Sequence, residues 1–311
     1  MKSFTVAPRP PSYLSLTEGE WEEKLQRARE LSSPCVLCPR HCRALRFQNS
    51  GAALGVCKTK DKACVASVGP HFGEEPPLVG TGGSGTIFFS YCNLKCIYCQ
   101  NYSLAHLGEG REVSDEELGE MMLRVQALGC HNVNLVSPTH VVPNILAAVK
   151  LAAERGLIIP LVYNTGGYDS LETIRLLEGI VDIYMPDMKY GEGGVSAEFS
   201  LAPDYPEMNF VAVKEMHRQV GELVLDERGV AVRGLLVRHL VLPGSLAGTE
   251  KVLQFIAEEI SRDSYVNVMG QYRPHYQAAG HPVLGRRITA REYREALALA
   301  AKLGLTRVQA L

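Results

Sequence analysis

Residues 85–100 read GTIFFSYCNLKCIYCQ and join an apolar run to three closely spaced cysteines. The run at residues 86–91 is typical of a buried strand, and cysteines follow it at positions 92, 96 and 99. In α/β folds the ligand-binding loops emerge at this end of the strands. This stretch therefore predicts a functional loop directly after a parallel strand.

The rest of the chain continues the alternation of strand and helix. Further apolar runs predict strands at residues 132–137, 158–164, 181–186, 235–242 and 265–269. Amphipathic stretches predict helices at residues 114–128, 143–155, 170–177, 206–220, 249–260 and 289–303. Six such units indicate a parallel α/β array, either an open doubly wound sheet or a whole or partial barrel. Only residues 223–236 interrupt this alternation of strands and helices, and the turn at residues 226–229 predicts an inserted hairpin there.

The first 84 residues differ in character from this array. We expect a cysteine-rich, mostly irregular extension at residues 1–84 and a β/α domain at residues 85–311. One helix is predicted near Thr17, with Glu20 as its capping-box partner. The glycines and prolines of residues 69–85 predict a loop or linker.

Composition and charge exclude several classes of protein. Hydrophobic residues make up 46% of the 311 residues, which excludes a disordered or collagen-like chain. The 32 basic residues nearly cancel the 34 acidic ones. A net charge of −2 provides no excess positive charge for nonspecific binding to nucleic acid or to an anionic membrane. No apolar run approaches a membrane span, and the first residues lack the apolar core of a signal peptide. We therefore expect a soluble cytoplasmic protein that binds neither membrane nor nucleic acid.

Nine cysteines are the unusual feature of the composition. Eight of them fall within the first 99 residues. An odd number without a secretory signal argues against a disulfide framework, so reduced thiols that serve metal binding or catalysis fit better.

The cysteines of residues 92–99 have the spacing C-x3-C-x2-C. Three thiolates from one loop can hold three irons of a [4Fe–4S] cluster, and the fourth iron is then free to bind a substrate. An electron carrier would normally use a fourth cysteine. The loop therefore predicts a cluster that performs chemistry, against the alternatives of ordinary thiols or part of a zinc site.

This loop resembles the signature of the radical S-adenosylmethionine enzymes, C-x3-C-x-aromatic-C, with Tyr98 in the aromatic place. Within them the chain is similar to the group around pyruvate formate-lyase activating enzyme, over roughly residues 80–290. Further matching segments lie at residues 163–167, 187–189, 238–244 and 267–272. Residues 35–42 and 55–57 look like a subgroup labelled activating-enzyme-like.

The resemblance implies a partial (β/α)6 barrel of the TIM type and an oxidoreductase that uses a [4Fe–4S] cluster and S-adenosylmethionine under anaerobic conditions. Reductive cleavage of S-adenosylmethionine gives methionine and a 5′-deoxyadenosyl radical, which abstracts hydrogen from the substrate. The favoured substrate is a glycine of a partner protein, and the electron donor is a flavodoxin or ferredoxin. The alternative is modification of a small molecule, peptide or nucleoside. A non-catalytic zinc or iron–sulfur module is the remote alternative.

The resemblance also assigns roles to individual residues. Cys92, Cys96 and Cys99 would hold the cluster, and Tyr98 would pack on the adenine. Asn164 would lie near the methionine amino group, and Lys189 would help hold its carboxylate. The other predicted cofactor-binding residues are Thr139, Asp187, Arg238 and Gln271.

One family motif is missing from the chain. The Gly-Gly-Glu that contacts the methionine amino group after the second strand is replaced by SPTH at residues 137–140. Either backbone carbonyls and Thr139 take over that role, or His140 does other work. His239 is a candidate either for the site or for a hydrogen-bonded position in the core.

A second cysteine set, Cys35, Cys38, Cys42 and Cys57, has the spacing C-x2-C-x3-C-x14-C. Four thiols at this spacing suit a structural zinc or an auxiliary [4Fe–4S] cluster, with Cys64 as a possible substitute for one ligand and free thiols as the alternative. Basic residues nearby would offset thiolate charge; they are Arg40, His41, Arg43 and Arg46. Cys130, between a helix and a strand, is predicted to be a small buried hydrophobe.

Overall fold

A computed structural model describes residues 4–7, 9–47 and 54–310 of the chain. Within these residues ten strands form one sheet. They are β1 (Ala63–His71), β2 (Ser84–Phe89), β3 (Arg111–Val113), β4 (Val133–Val136), β5 (Leu161–Thr165), β6 (Ile183–Pro186), β7 (Val224–Leu225), β8 (Ala231–Leu240), β9 (Tyr265–Met269) and β10 (Arg307–Ala310).

The helices connect and cover these strands. They are α1 (Glu18–Ser32), α2 (Pro76–Val79), α3 (Tyr102–Ala105), α4 (Asp115–Ala127), α5 (Val142–Glu154), α6 (Leu171–Leu176), α7 (Gly193–Ser200), α8 (Tyr205–Val220), α9 (Thr249–Phe255) and α10 (Ala290–Lys302). A π-helical turn, Ile256–Ile260, continues α9. Complete capping boxes begin α1, α4 and α10, which explains why their starts could be located from the sequence.

The sheet has the strand order β10-β9-β8-β6-β5-β4-β2-β1-β3. From β2 to β10 every pair along this path is parallel, and the spatial order follows the chain order. A doubly wound sheet would reverse its order at a switch point, whereas consecutive order is the arrangement of a β/α barrel. Because β10 and β3 are not paired to each other among the described residues, the sheet is not closed. The predicted α/β class with an incomplete barrel is confirmed.

All six predicted parallel strands are present, together with the hairpin. The hairpin is the antiparallel pair β7–β8. The seventh parallel strand, β10, was not predicted, because its four residues include Arg307 and Gln309 and lack an apolar run. No helix within the described ranges is both long enough and apolar enough to cross a membrane.

The N-terminal region is more regular than its sequence predicts. Strand β1 pairs antiparallel with β2 along nearly its whole length, and β3 pairs with the other edge of β1. Trp21, Leu31 and Val65 belong to the same buried core as the barrel residues. The expectation of a mostly irregular extension is therefore wrong for β1, where the backbone hydrogen bonds of β2 stabilise a strand that contains Pro70.

Candidate active site at the carboxyl ends of the parallel strands

A cavity of about 290 Å³ opens where β2, β4, β5, β6, β8 and β9 end. Most of the predicted site residues line it together, although they come from distant parts of the chain. They are Cys92, Cys96, Tyr98, Cys99, Asn164, Asp187, Lys189, Arg238 and Gln271. The carboxyl ends of parallel strands meet at one edge, and this explains the convergence.

The cysteine loop, residues 91–101, is shaped by a sharp turn and by α7. Tyr91 has a φ of 68°, a left-handed conformation that turns the chain out of β2. The amides of Lys95 and Ile97 donate to the carbonyls of Ser200 and Phe199 at 3.2 and 2.9 Å. The end of α7 therefore holds the loop against the barrel.

The three thiols of this loop are candidate metal ligands, and two of them accept hydrogen bonds. Ser200 Oγ donates to Cys96 Sγ at 2.9 Å, and the amide of Leu94 donates to Cys92 Sγ at 3.4 Å. Burial, helped by the neighbouring thiols, raises the pKa of Cys92 to about 11 and that of Cys99 to about 12. Buried thiols of this kind become thiolates when a metal binds, because the cation stabilises the deprotonated form.

These three thiols suit an iron–sulfur cluster better than a single metal ion. Within the part of the chain that is described, no three His, Cys, Asp or Glu side chains converge as ligands of one metal ion. A [4Fe–4S] cluster distributes its thiolates over different irons, and hydrogen bonds to sulfur of the kind made by Ser200 and Leu94 tune such clusters. Three soft donors beside a polar cavity therefore fit an iron–sulfur cluster with one open iron.

Asp187 is the centre of the charged wall of the cavity. It accepts hydrogen bonds from Lys189 Nζ at 2.6 Å and from Arg238 Nε at 2.8 Å. Burial works to raise the pKa of Asp187, but the two cations hold it below its usual range. Arg238 also donates to Asn164 Oδ1 at 2.7 Å, so the oxygen expected near the methionine amino group already has one donor.

Helix α8 holds this wall in place through two residues that sequence reasoning missed. Tyr205 Oη lies 2.8 and 2.9 Å from the carbonyl oxygens of Gly166 and Asp187, which share its one proton, and it accepts from the amide of Lys189 at 3.0 Å. Asn209 Nδ2 donates to the carbonyls of Gly167 and Asp187 at 2.9 and 3.0 Å. The amphipathic pattern predicted the helix but carried no signal for these polar contacts.

The sequence analysis also did not predict that two acids, Glu74 and Glu75, face Arg238. Its guanidinium lies 3.7 Å from Glu74 Oε2 and 3.9 Å from Glu75 Oε1, and Asn267 Nδ2 donates to Glu75 Oε1 at 3.1 Å. Burial raises the pKa of Glu74 to about 7. The only available signal was a pair of adjacent acids in a stretch that reads as a linker.

Thr139 lies outside the cavity lining, contrary to its predicted role. Its hydroxyl donates to Asp169 Oδ1 at 2.6 Å and lies 3.2 Å from Thr165 Oγ1. Asp169 also accepts from Tyr163 and is fully buried, so these hydroxyls stabilise a carboxylate beneath the site. Thr139 is therefore engaged in the core and is not presented to a cofactor.

Two histidines considered for the site also serve the core. His239 bonds to the carbonyl of Met188 at 2.7 Å and to Thr249 Oγ1 at 2.9 Å. His140 bonds to the carbonyl of Ser90 at 2.9 Å. Burial lowers the pKa of each to about 4, so both are neutral at physiological pH.

Aromatic side chains surround part of the cavity, and Tyr98 and Tyr272 line it. Tyr98 makes edge contacts with Tyr190 and Tyr272 at ring-centroid distances of 6.4 and 5.9 Å. Farther out, the rings of Tyr102 and Tyr276 stack at 5.0 Å. Tyr102 is 39% exposed and belongs to α3, whose last residue, Ala105, lines the cavity. These two outer rings, one exposed and one half-buried, form an aromatic rim, Tyr102 and Tyr276.

The N-terminal cysteines lie beside the cysteine loop and not in the cavity. Cys35, Cys38 and Cys57 are buried and Cys42 is half-buried. Arg40 connects the two regions, since its Nε donates to the carbonyl of Asn93 at 3.0 Å. Cys64 is on β1, and Cys130 is buried, as expected for a small hydrophobe.

Comparison with known proteins agrees with this geometry. The family model "Radical SAM superfamily" matches residues 86–192, which include the cysteine loop, Asn164, Asp187 and Lys189. An uncharacterized protein of Methanocaldococcus jannaschii, MJ0674, is 32% identical over 292 residues, or 91% of this chain and 78% of that protein.

Two solved structures are similar at lower levels. One is anSMEcpe with bound AdoMet and Cp18Cys peptide, with a TM-score of 0.47, 15% identity and coverage of 67% of this chain and 55% of that one. The other is HydG, a maturase of the [FeFe]-hydrogenase, with a TM-score of 0.45, 11% identity and coverage of 95% of this chain and 63% of that one. The chain thus spans less than two thirds of either structure. The family match and the cysteine loop together lead to one conclusion: this chain belongs to the radical S-adenosylmethionine superfamily.

Proposed function

We propose that the chain is a radical S-adenosylmethionine enzyme that abstracts hydrogen from a glycine of a partner protein. The observation that carries the radical chemistry is the single cavity shared by three thiols and the Asp187–Lys189 ion pair. The aromatic rim, in which Tyr102 is exposed and Tyr276 half-buried, supports a polypeptide substrate, because tyrosines are favoured at protein interfaces.

The protein's own side chains would bind and orient the two cofactors. Cys92, Cys96 and Cys99 would hold the [4Fe–4S] cluster, and the bound cluster and S-adenosylmethionine would supply one-electron chemistry that side chains lack. Lys189 keeps its charge, since Asp187 and the Cys96 thiol outweigh the effect of burial and raise its pKa. A cation next to an anion suits the zwitterionic methionine end of S-adenosylmethionine.

The substrate assignment rests on shape and charge. A glycine has no side chain, so its Cα can enter a cavity of about 290 Å³ as part of a polypeptide loop. Net charge near zero gives no electrostatic preference for a nucleic acid. A flavodoxin or ferredoxin would deliver the electron, in an anaerobic cytoplasm.

Replacement of one cluster ligand tests the chemistry. Cys92→Ala, Cys96→Ala and Cys99→Ala should each abolish the formation of 5′-deoxyadenosine from S-adenosylmethionine by the anaerobic, reduced protein, because each removes one of three iron ligands. Cys130→Ala is the matched control and should retain the wild-type rate, because that thiol is buried away from the cavity. Retained cleavage in any of the first three variants would show that the ligands are misassigned.

A second experiment tests the substrate. A gene for a glycyl-radical protein adjacent to the gene of this chain would supply the candidate partner. The enzyme should then produce a glycyl radical in that partner, observed by electron paramagnetic resonance, and Tyr102→Ala should weaken its production without changing the slow cleavage seen in the partner's absence. Stimulation of cleavage by a small molecule, a peptide or a nucleoside, with no radical on the partner, would contradict the glycine assignment.

A further inference from the structure

Four free cysteines lie outside the cavity on two neighbouring segments and are here called the N-terminal thiol cluster: Cys35, Cys38, Cys42 and Cys57. The amide of Cys35 donates to the carbonyl of Ala44, and the amide of Arg43 donates back to the carbonyl of Cys35, both at 3.0 Å. These bonds fold residues 35–44 into a loop that brings Cys42 back towards Cys35. The thiol of Cys35 interacts electrostatically with Cys42 and Cys57, and that of Cys38 with Cys57 and Cys35.

The backbone around the cluster is held in unusual conformations. His41 and Arg43, on either side of Cys42, have φ values of 39° and 55°, and Lys58, next to Cys57, has a φ of 54°. Such conformations are unfavourable for residues other than glycine and concentrate at functional sites. A Cβ on Gly55 would come within 2.5 Å of Cys42 Sγ, so the second segment can approach that thiol only with glycine there.

A buried cation without a carboxylate faces this cluster. Arg46 is 8% exposed; its Nη1 donates to the carbonyl of His140 at 2.5 Å, and its Nη2 lies 3.6 Å from Cys57 Sγ. Its Nε is buried without a partner, and among the described residues it forms no ion pair with an acid. Because a guanidinium stays charged in proteins, its burial is costly unless an anion compensates it.

We propose that the N-terminal thiol cluster binds a metal as thiolates, with Arg46 as the buried counter-charge. The ligand class is an auxiliary iron–sulfur cluster, whose thiolates bind different irons, because among the described residues no three thiols converge on one metal ion. Metal-bound thiolates supply the anion that Arg46 lacks. The proposal goes beyond hydrogen abstraction and does not depend on it.

The cluster also adjoins the cysteine loop. The side chain of Asn93 acts on the Cys38 thiol by lowering its pKa, against the larger effect of burial, and its Oδ1 lies 3.7 Å from Cys92 Sγ. Lys95 interacts electrostatically with both Cys92 and Cys57. One residue therefore separates the two thiol sets, and a metal at the N-terminal thiol cluster would stabilise the position of the cysteine loop.

Metal analysis of the full chain, purified without oxygen, tests the proposal. A Cys92→Ala/Cys96→Ala/Cys99→Ala variant should retain about four irons with sulfide per chain. Adding Cys35→Ala and Cys38→Ala to it should remove that metal, whereas adding Cys64→Ala and Cys130→Ala should not. Iron with sulfide would support the auxiliary cluster, whereas about one zinc per chain in its place would contradict it. A triple variant that is folded by circular dichroism and holds no iron would overturn the proposal.

Arg46 provides a test that leaves all nine cysteines in place. Arg46→Gln should lose the N-terminal metal to a chelator about tenfold more readily than wild type, as expected for loss of an outer-shell partner. Arg46→Lys, which keeps the charge, should lie closer to wild type. Equal metal retention in all three proteins would contradict a counter-charge role for Arg46.

Discussion

Gly167 shows how a single position controls the geometry of the cavity wall. It follows β5 with a φ of 76°, and its own amide donates to Thr165 Oγ1 at 3.1 Å. A Cβ there would lie 2.1 Å from the carbonyl oxygen of Asp187 and 2.2 Å from Asn209 Nδ2. The glycine is therefore needed both for its backbone conformation and for the close approach of the β6 loop.

Gly167→Ala should lower the free energy of unfolding by about 3 kcal/mol, because a left-handed backbone and an overpacked contact add their costs. Gly194→Ala is the control, since that glycine is exposed in α7 and a Cβ would meet nothing within 4 Å. The control should stay within about 1 kcal/mol of wild type in urea titrations. Equal stability of the two variants would refute the steric argument.

At the scale of elements, His239 connects three parts of the barrel. It lies on β8, its Nδ1 donates to the carbonyl of Met188 after β6, and its Nε2 accepts from the hydroxyl of Thr249 at the start of α9. It is completely buried, and desolvation of its charged form is the main reason for its lowered pKa. The neutral ring thus holds the β6 loop, which carries Asp187 and Lys189, against β8.

The stability contributed by His239 should be lost in acid. Unfolded histidine takes up a proton near pH 6.5, whereas folded His239 stays neutral down to about pH 4. Between these values the unfolded chain binds more protons, so the free energy of unfolding decreases as the pH falls, by up to about 3 kcal/mol from this group. In urea titrations between about pH 7 and pH 4, the free energy of unfolding of wild type should approach that of His239→Gln by up to about 3 kcal/mol. If the difference in free energy of unfolding between the two proteins did not change with pH, His239 would not be the buried neutral group described here.

At the scale of the whole molecule, the N-terminal region and the barrel share one hydrophobic core. Trp21 and Leu31 of α1 and Ala63 and Val65 of β1 are buried in the cluster that contains Ile87 and Leu135 of the barrel strands. Asp182, before β6, accepts hydrogen bonds from the amides of Ser12 and Leu161 at 2.8 and 3.1 Å. Removal of the first 84 residues would expose this apolar surface and leave β2 with an unpaired edge.

Residues 85–311 alone should therefore fail to unfold cooperatively. Each large side chain removed from the core costs roughly 1.5–3 kcal/mol of burial, and a few such losses equal the whole stability of a typical domain. Thermal unfolding followed by circular dichroism would compare this fragment with the full chain. A sharp transition at the temperature of the full chain would show instead that residues 1–84 form an independent unit.

Local patterns in the sequence determined six of the seven parallel strands, the main helices and the cysteine loop. The six predicted strands are apolar because helices cover them, and α1, α4 and α10 begin at capping boxes that lie within four residues. Cys92, Cys96 and Cys99 could be recognised together because one loop carries all three at short, fixed offsets.

Only the tertiary structure decided the contacts between distant segments. Strand β1 has weak alternation and a proline, so its strand conformation depends on pairing with β2. Arg238 meets Asn164 across 74 residues, and Glu75 meets Asn267 across 192. The contact between Arg46 and Cys57 also depends on how their two segments fold against the barrel. Hydrophobic period and capping act over a few residues, whereas charge pairing inside a barrel depends on which strands become neighbours.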